Sequence, residues 1–213
     1  TTTGVVPTEA RAGCPTINAF GGGATGYLMQ IEYGSSVACR IKLFDLLWKG
    51  GAYTFNANTT GQTPTSFSSR VPGGTDFTDT QIWLEQVTAG TGVQNVAVTY
   101  LDQGNVSSTT GTVAAPAAMI VGRCFQLPLA AGDTGVQGVT GVVGSVATAG
   151  TFNILVVRPI WSGRVKIAND GDVHDYAKTG MPIIYENSAL MMLVAPDSTA
   201  TGIPELELVI ANG

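Results

Sequence analysis

The chain has 213 residues, of which 44% are hydrophobic and only 12% charged, with a formal net charge of −5. Such a chain is long enough to bury a core without staples and too apolar to stay disordered. The acidic balance argues against a dedicated nucleic-acid binder, and no apolar run approaches the ~20 residues of a membrane-spanning helix.

Residues 1–24 read as an extended N-terminal arm, and residues 25–213 as one β-sandwich domain. Thr, Pro and Gly dominate the arm, and Gly21-Gly22-Gly23 closes it. The opening Thr1-Thr2-Thr3-Gly4 lacks the basic and apolar stretches of a signal peptide. An arm of this composition has no core of its own, so it is expected to fray or to be ordered by a partner.

From Gly26 the pattern is β. Tyr27–Tyr33 is a short apolar segment stopped by Gly34-Ser35-Ser36, and Val37, Cys39 and Ile41 then recur with period two. Lys42–Trp48 fits a short helix capped by Gly50 and a buried strand about equally well. Asn56–Thr80 is a long polar loop, expected to cover a sheet edge or reach a neighbouring subunit. In Gln81–Val87, Ile82 and Leu84 share one parity, which turns Trp83 outward, toward solvent or a partner. Val96, Val98 and Tyr100 alternate. Runs at Val139–Val146, Phe152–Val157, Leu190–Val194 and Leu206–Ile210 complete about ten strand candidates, as in a sandwich or barrel. In the last run Glu205, Glu207 and Val209 share a parity, which predicts one wet face.

Few residues could carry chemistry. Cys14, Cys39 and Cys124 are too widely spaced for a zinc motif and read as buried thiols of a reducing cytosol, with one disulfide as the alternative. His174 is the single histidine. Asn169–Asp175 holds three carboxylates and that imidazole, a set able to hold a hard cation or simply to form a solvated turn. Val143-Gly144-Ser145-Val146-Ala147 lacks the second glycine of a nucleophile elbow. The acid pairs Asp76/Asp79 and Glu205/Glu207 are the candidates for glycoside hydrolysis, and each also reads as a solvated surface. Phe20–Gly26 lacks the Lys of a phosphate loop. Neither a catalytic set nor a cofactor site is expected. Trp48 reads as core, whereas Trp83 and Trp161 are interface candidates, since Trp anchors interfaces.

Several segments resemble a family of tailed-bacteriophage virion structural proteins with an all-β fold. They are Leu43–Trp48, Ile82–Glu85 with Val98–Tyr100, Leu127–Val136 with its Gly-Asp-Thr-Gly-Val element, Asn153–Pro159, Met181–Tyr185 and Ser188–Leu190. The resemblance implies a jelly-roll-like sandwich and a capsid cement or decoration subunit, less often a tail component. No catalytic residues carry over. The expectation is a non-enzymatic protein on the capsid exterior, bound to the major capsid protein and to itself. A homotrimer is expected ahead of a dimer, without nucleic acid or membrane. The alternative is a tail or fibre-associated protein that binds host glycans. The arm and the Asn56–Thr80 loop are the expected contact segments, with Arg11, Phe20, Trp83 and Trp161 as interface residues.

Overall fold

The computed structural model describes residues 3–21, 24–115, 119–200 and 202–213. Thr1 and Thr2, and Gly22 and Gly23 of the glycine triplet, lie outside them. The chain is all-β. Its strands are β1 (Gly26–Ser35), β2 (Cys39–Thr54), β3 (Thr60–Gly61), β4 (Gln81–Thr88), β5 (Gln94–Asp102), β6 (Ser107–Thr109) and β7 (Val113–Ala115). They continue as β8 (Cys124–Leu127), β9 (Val136–Gly144), β10 (Thr151–Val165), β11 (Asp170–His174), β12 (Ile183–Ile184), β13 (Leu190–Pro196) and β14 (Pro204–Asn212). One helical turn, α1 (Tyr176–Thr179), is capped by Asp175, whose side chain accepts from the N–H groups of Ala177 and Lys178.

Where the sequence suggests one sandwich after an arm, the chain divides into two compact units. The first is Thr1–Pro7 with Leu46–Arg158, and the second is Thr8–Asp45 with Pro159–Gly213. The boundary falls inside β2 and inside β10, and within the arm.

In the first unit, β4 lies between β10 and β8, all antiparallel. A second sheet is built on β5, flanked by β9 and by the short β6 and β7, with β3 on β9. The two sheets share one core, with Ile82, Leu84, Ile154 and Val156 on one side and Val96, Val98, Tyr100 and Val139 on the other. The alternation of β5 is what sorts its side chains: Val96, Val98 and Tyr100 are fully buried. The Asn56–Thr80 segment belongs to this core. Its Phe67, Val71 and Phe77 are buried in the cluster, each stabilising the unit by roughly 1.5–3 kcal/mol through burial.

In the second unit, β1 carries β14 along Gly26–Ser35. Its other side therefore takes β11 and β12. Facing them, β13 pairs with Cys39–Asp45 of β2. The core between is Leu28, Ile31 and Tyr33 against Ile41, Leu43, Trp161 and Leu190, and Leu206, Leu208 and Ile210 of β14 pack on it half-buried. Glu205, Glu207 and Val209 are exposed, so β14 has the one wet face that its alternation predicts.

Two expectations are settled or corrected here. Lys42–Trp48, open between helix and strand, is strand: it lies inside the sixteen-residue β2, buried on both parities from Leu43 to Trp48. Trp83 does not face solvent. It is 7% exposed, stands beside Leu155 of β10 (1% exposed) and Gln126 of β8, and its Nε1 donates to Gln81 Oε1 at 3.0 Å. The reason is that this sheet is covered on both faces. The unbroken apolar run Ile154–Val157 of β10, buried at every position, is the mark of such a strand.

Candidate functional site

The arm is fastened to its own chain at both ends, which corrects the expectation that it frays or waits for a partner. In the first unit, Val5 and Lys49 exchange two backbone hydrogen bonds of 2.9 Å. Gly4 donates its N–H to Gln62 Oε1 at 3.2 Å. Gly4 lies so close to Trp48 that a Cβ there would sit 1.9 Å from the indole ring, so only glycine fits. The guanidinium of Arg70, fully buried, donates Nη1–H to the carbonyl of Pro7 and Nη2–H to the carbonyl of Leu46 at 2.7 Å. One side chain of the long loop thus clips the arm to β2. Beside it, Lys49 Nζ meets Glu85 Oε2 at 2.6 Å, and Asn153 Nδ2 donates to the same oxygen at 2.7 Å.

In the second unit, the Phe20 N–H donates to Glu186 Oε1, and its carbonyl accepts from Asn212 Nδ2 at 3.0 Å. The Phe20 ring lies over Gly26, where a Cβ would be 2.4 Å away. Phe20 is half-buried, whereas Arg11 stands exposed on a turn closed by Arg11 N–H to Thr8 and Cys14 N–H to Arg11. Of the four expected interface residues, Arg11 is at the surface, Phe20 is half covered, and Trp83 and Trp161 are each 7% exposed.

Trp161 is tied to the single histidine. Its Nε1–H donates to His174 Nδ1 at 3.0 Å. An indole nitrogen can only donate, so Nδ1 holds a lone pair and the ring proton sits on Nε2. That Nε2 faces Tyr33 Oη at 3.2 Å and Asp172 Oδ2 at 3.5 Å. Tyr33 stacks edge-on against both Trp161 and His174. Burial first, then the Asp172 charge, pushes the Tyr33 phenol above its usual range. Both ring nitrogens are therefore engaged with aromatic neighbours rather than aimed at a serine or cysteine. His174 ties β11 to β1 and β10.

The acidic segment Asn169–Asp175 is largely strand. Asp170–His174 is β11, which separates successive side chains onto opposite faces. Among the described residues no group of three His, Cys, Asp or Glu is placed to hold a metal ion. Glu205 and Glu207 do share a face, with Glu32 directly opposite Glu207 on β1. They border an open acidic cavity of about 880 Å³. No disulfide joins Cys14, Cys39 and Cys124. Burial pushes the Cys124 thiol up to about 11, well away from a reactive thiolate.

The Leu127–Val136 turn is wired to the first unit by side chains. Tyr100 Oη donates to Asp133 Oδ2 at 2.6 Å and accepts from the Ala130 N–H at 2.9 Å. Gln103 Oε1 accepts from the N–H of Thr134 at 2.8 Å and of Gly135 at 3.2 Å. A Cβ on Gly135 would lie 1.9 Å from the Phe77 carbonyl oxygen, so the glycine permits this close approach. The Tyr100 hydroxyl, with Ser108 second, holds the Asp133 carboxyl below its ordinary value. A depressed carboxyl stabilises the fold above its unfolded pKa, and that contribution fades as pH falls through the folded one. The stability difference between wild type and Tyr100→Phe should therefore narrow as pH drops below about 4. Chemical denaturation at stepped pH checks this; a difference that stays constant would show that Asp133 contributes nothing through its charge.

The second unit also opens an apolar mouth of about 620 Å³ between β13 and β14, lined by Leu190 and Met192 on one side and Leu206, Leu208 and Ile210 on the other. Arm residues Gly13–Ile17 line it too.

Sequence reasoning missed two polar anchors, Arg70 and Asp45. Asp45 is fully buried, and accepts from Ser188 Oγ at 2.8 Å and the Ala189 N–H at 3.1 Å. A charge embedded in an apolar run, as in Leu43–Trp48, was the available signal for Asp45. For Arg70 it was Phe67 and Val71 on either side. No family model, curated protein or solved structure matches the chain.

Proposed function

We propose that this chain is a non-enzymatic virion structural protein of the cement or decoration type, which binds the outside of a capsid shell as a homo-oligomer and reinforces it. The observation that carries the reading is how the segments resembling that family are used. Leu43–Trp48 and Ser188–Leu190 meet through Asp45, and the Leu127–Val136 turn is fixed by Tyr100 and Gln103. These residues spend their polar groups on holding a sandwich together, as a load-bearing shell component requires. The low charge leaves a surface of Thr, Ser and Gly that suits repeated weak contacts between copies. A glycan-binding tail role rests on exposed indoles, and Trp48, Trp83 and Trp161 are all covered.

The turn around Arg11 is exposed and offers the shell a charged contact from the arm. Purified protein mixed with expanded shells of the parent virion, stripped of this subunit, should co-sediment and saturate at a fixed copy number. Arg11→Glu should weaken that binding about tenfold, the loss of one well-placed charge contact at an interface. Absence of saturable binding by the wild-type protein would overturn the cement reading.

A further inference from the structure

Strand β14 is nine residues long, and among the described residues one of its edges is paired. β1 bonds it along the whole of Gly26–Ser35. On the far edge, among the described residues, no strand and no main-chain hydrogen bond from the arm is found. The arm meets β14 at Asn212 Nδ2, which bonds the Phe20 carbonyl, and along the apolar mouth that Gly13–Ile17 line; among the described residues it makes no main-chain hydrogen bond to the strand's outward N–H and C=O groups. An unpaired edge of this length, about 30 Å at ~3.3 Å per residue, is a template for another strand.

We propose that β14 pairs with β14 of a second copy of this chain, antiparallel, about a two-fold axis at Leu208. The register follows from the strand itself. Face alternation must be kept, so residues of even number oppose residues of even number. A two-fold axis at Leu206 sets Glu205 opposite the second copy's Glu207, and one at Glu207 sets that residue opposite itself. Both stack like charges directly across the ladder, which destabilises it. An axis at Leu208 sets Glu207 opposite Val209 and Glu205 opposite Ala211. On the inner face, Leu208 meets its own copy and Leu206 meets Ile210. Leu208 is also the midpoint of Pro204–Asn212, so this register alone uses every residue of the strand.

The inner side chains are already half-buried at the apolar mouth, which the second copy would continue. The outer face brings Glu207 of the two copies to a diagonal spacing of ~7–8 Å, inside the screening length at low salt. The dimer should therefore tighten as salt is raised. A symmetric strand pair closes at two copies and leaves neither β14 edge open. The pairing does not depend on the virion reading, because it is a property of the isolated protein.

The test is the mass of the full chain by sedimentation equilibrium, up to about 100 µM, where interfaces of modest affinity fill. Val209 is exposed and faces Gln30 within its own chain, so its substitution leaves the monomer's contacts largely intact. Val209→Glu places acid opposite Glu207 twice in each dimer, whereas Val209→Lys places a base there twice. The expected result is a dimer whose dissociation constant is raised by Val209→Glu and lowered by Val209→Lys, the two variants differing by about tenfold or more. The Lys variant reports alone if the Glu variant folds poorly. A chain that stays monomeric, or a dimer or trimer indifferent to both substitutions, would overturn the pairing. Shell binding measured separately distinguishes that outcome from failure of the cement reading.

Discussion

Arg70→Met should lower the stability of the first unit by about 3 kcal/mol, the sum expected for two buried carbonyls losing charged donors. The guanidinium is fully buried and serves Pro7 and Leu46 at once. Methionine fills much of the volume but donates nothing, so both carbonyls lose their Arg70 donor away from water. Arg70→Lys should recover only part, because a single ammonium lacks the planar fork that spans two acceptors. Denaturant unfolding followed by tryptophan fluorescence gives the stability. Amide exchange at Val5 and Lys49 should rise in parallel, since the arm is held by the same clip. A loss under about 1 kcal/mol with unchanged exchange would mean that the loop core alone fixes the arm.

Asp45→Ala should cost about as much, roughly 3 kcal/mol, because a fully buried carboxylate is replaced by a void and strands two donors. Ser188 Oγ and the Ala189 N–H both point to it. Asp45→Asn is the control. Its Oδ1 can still accept from Ala189 and its amide can donate to Ser188 Oγ, so the loss should be about 1 kcal/mol. If the two substitutions cost the same, the charge rather than the hydrogen-bond geometry is what matters there. Thermal and urea unfolding of the pair decide between these outcomes.

The strands were legible wherever one face is wet. β5 and β14 alternate in sequence as they do in burial, because solvent on one side imposes the period. Legibility failed where both faces are covered. Leu43–Trp48 shows no period because every position is buried, and Trp83 was turned outward on a parity that assumed a wet face. The long loop looked polar because the apolar side chains it gives to the core are Phe67, Val71 and Phe77, whose spacing is neither two nor 3.6. The anchors at Arg70 and Asp45 depend on carbonyls and hydroxyls far away in sequence, which local patterning does not carry. The same distance hid the arm: composition describes Thr3–Pro7 as unsupported, whereas its support lies at Lys49, Gln62 and Arg70. That no helix among the described residues is longer than α1 was readable from the scarcity of helical runs.

The division of the chain has a consequence for synthesis on the ribosome. Apart from its first seven residues, the first unit is one continuous segment, Leu46–Arg158. Its sheets can close as soon as that segment has emerged. The second unit is assembled from two segments separated by Leu46–Arg158. β1 is made before Leu46–Arg158, but its full-length partner β14 is made after it. Residues 8–45 must therefore wait, exposed, until Pro204–Asn212 has been made. Ribosome-stalled chains ending before Pro204 should already resist protease across Leu46–Arg158 while remaining cleavable around β1.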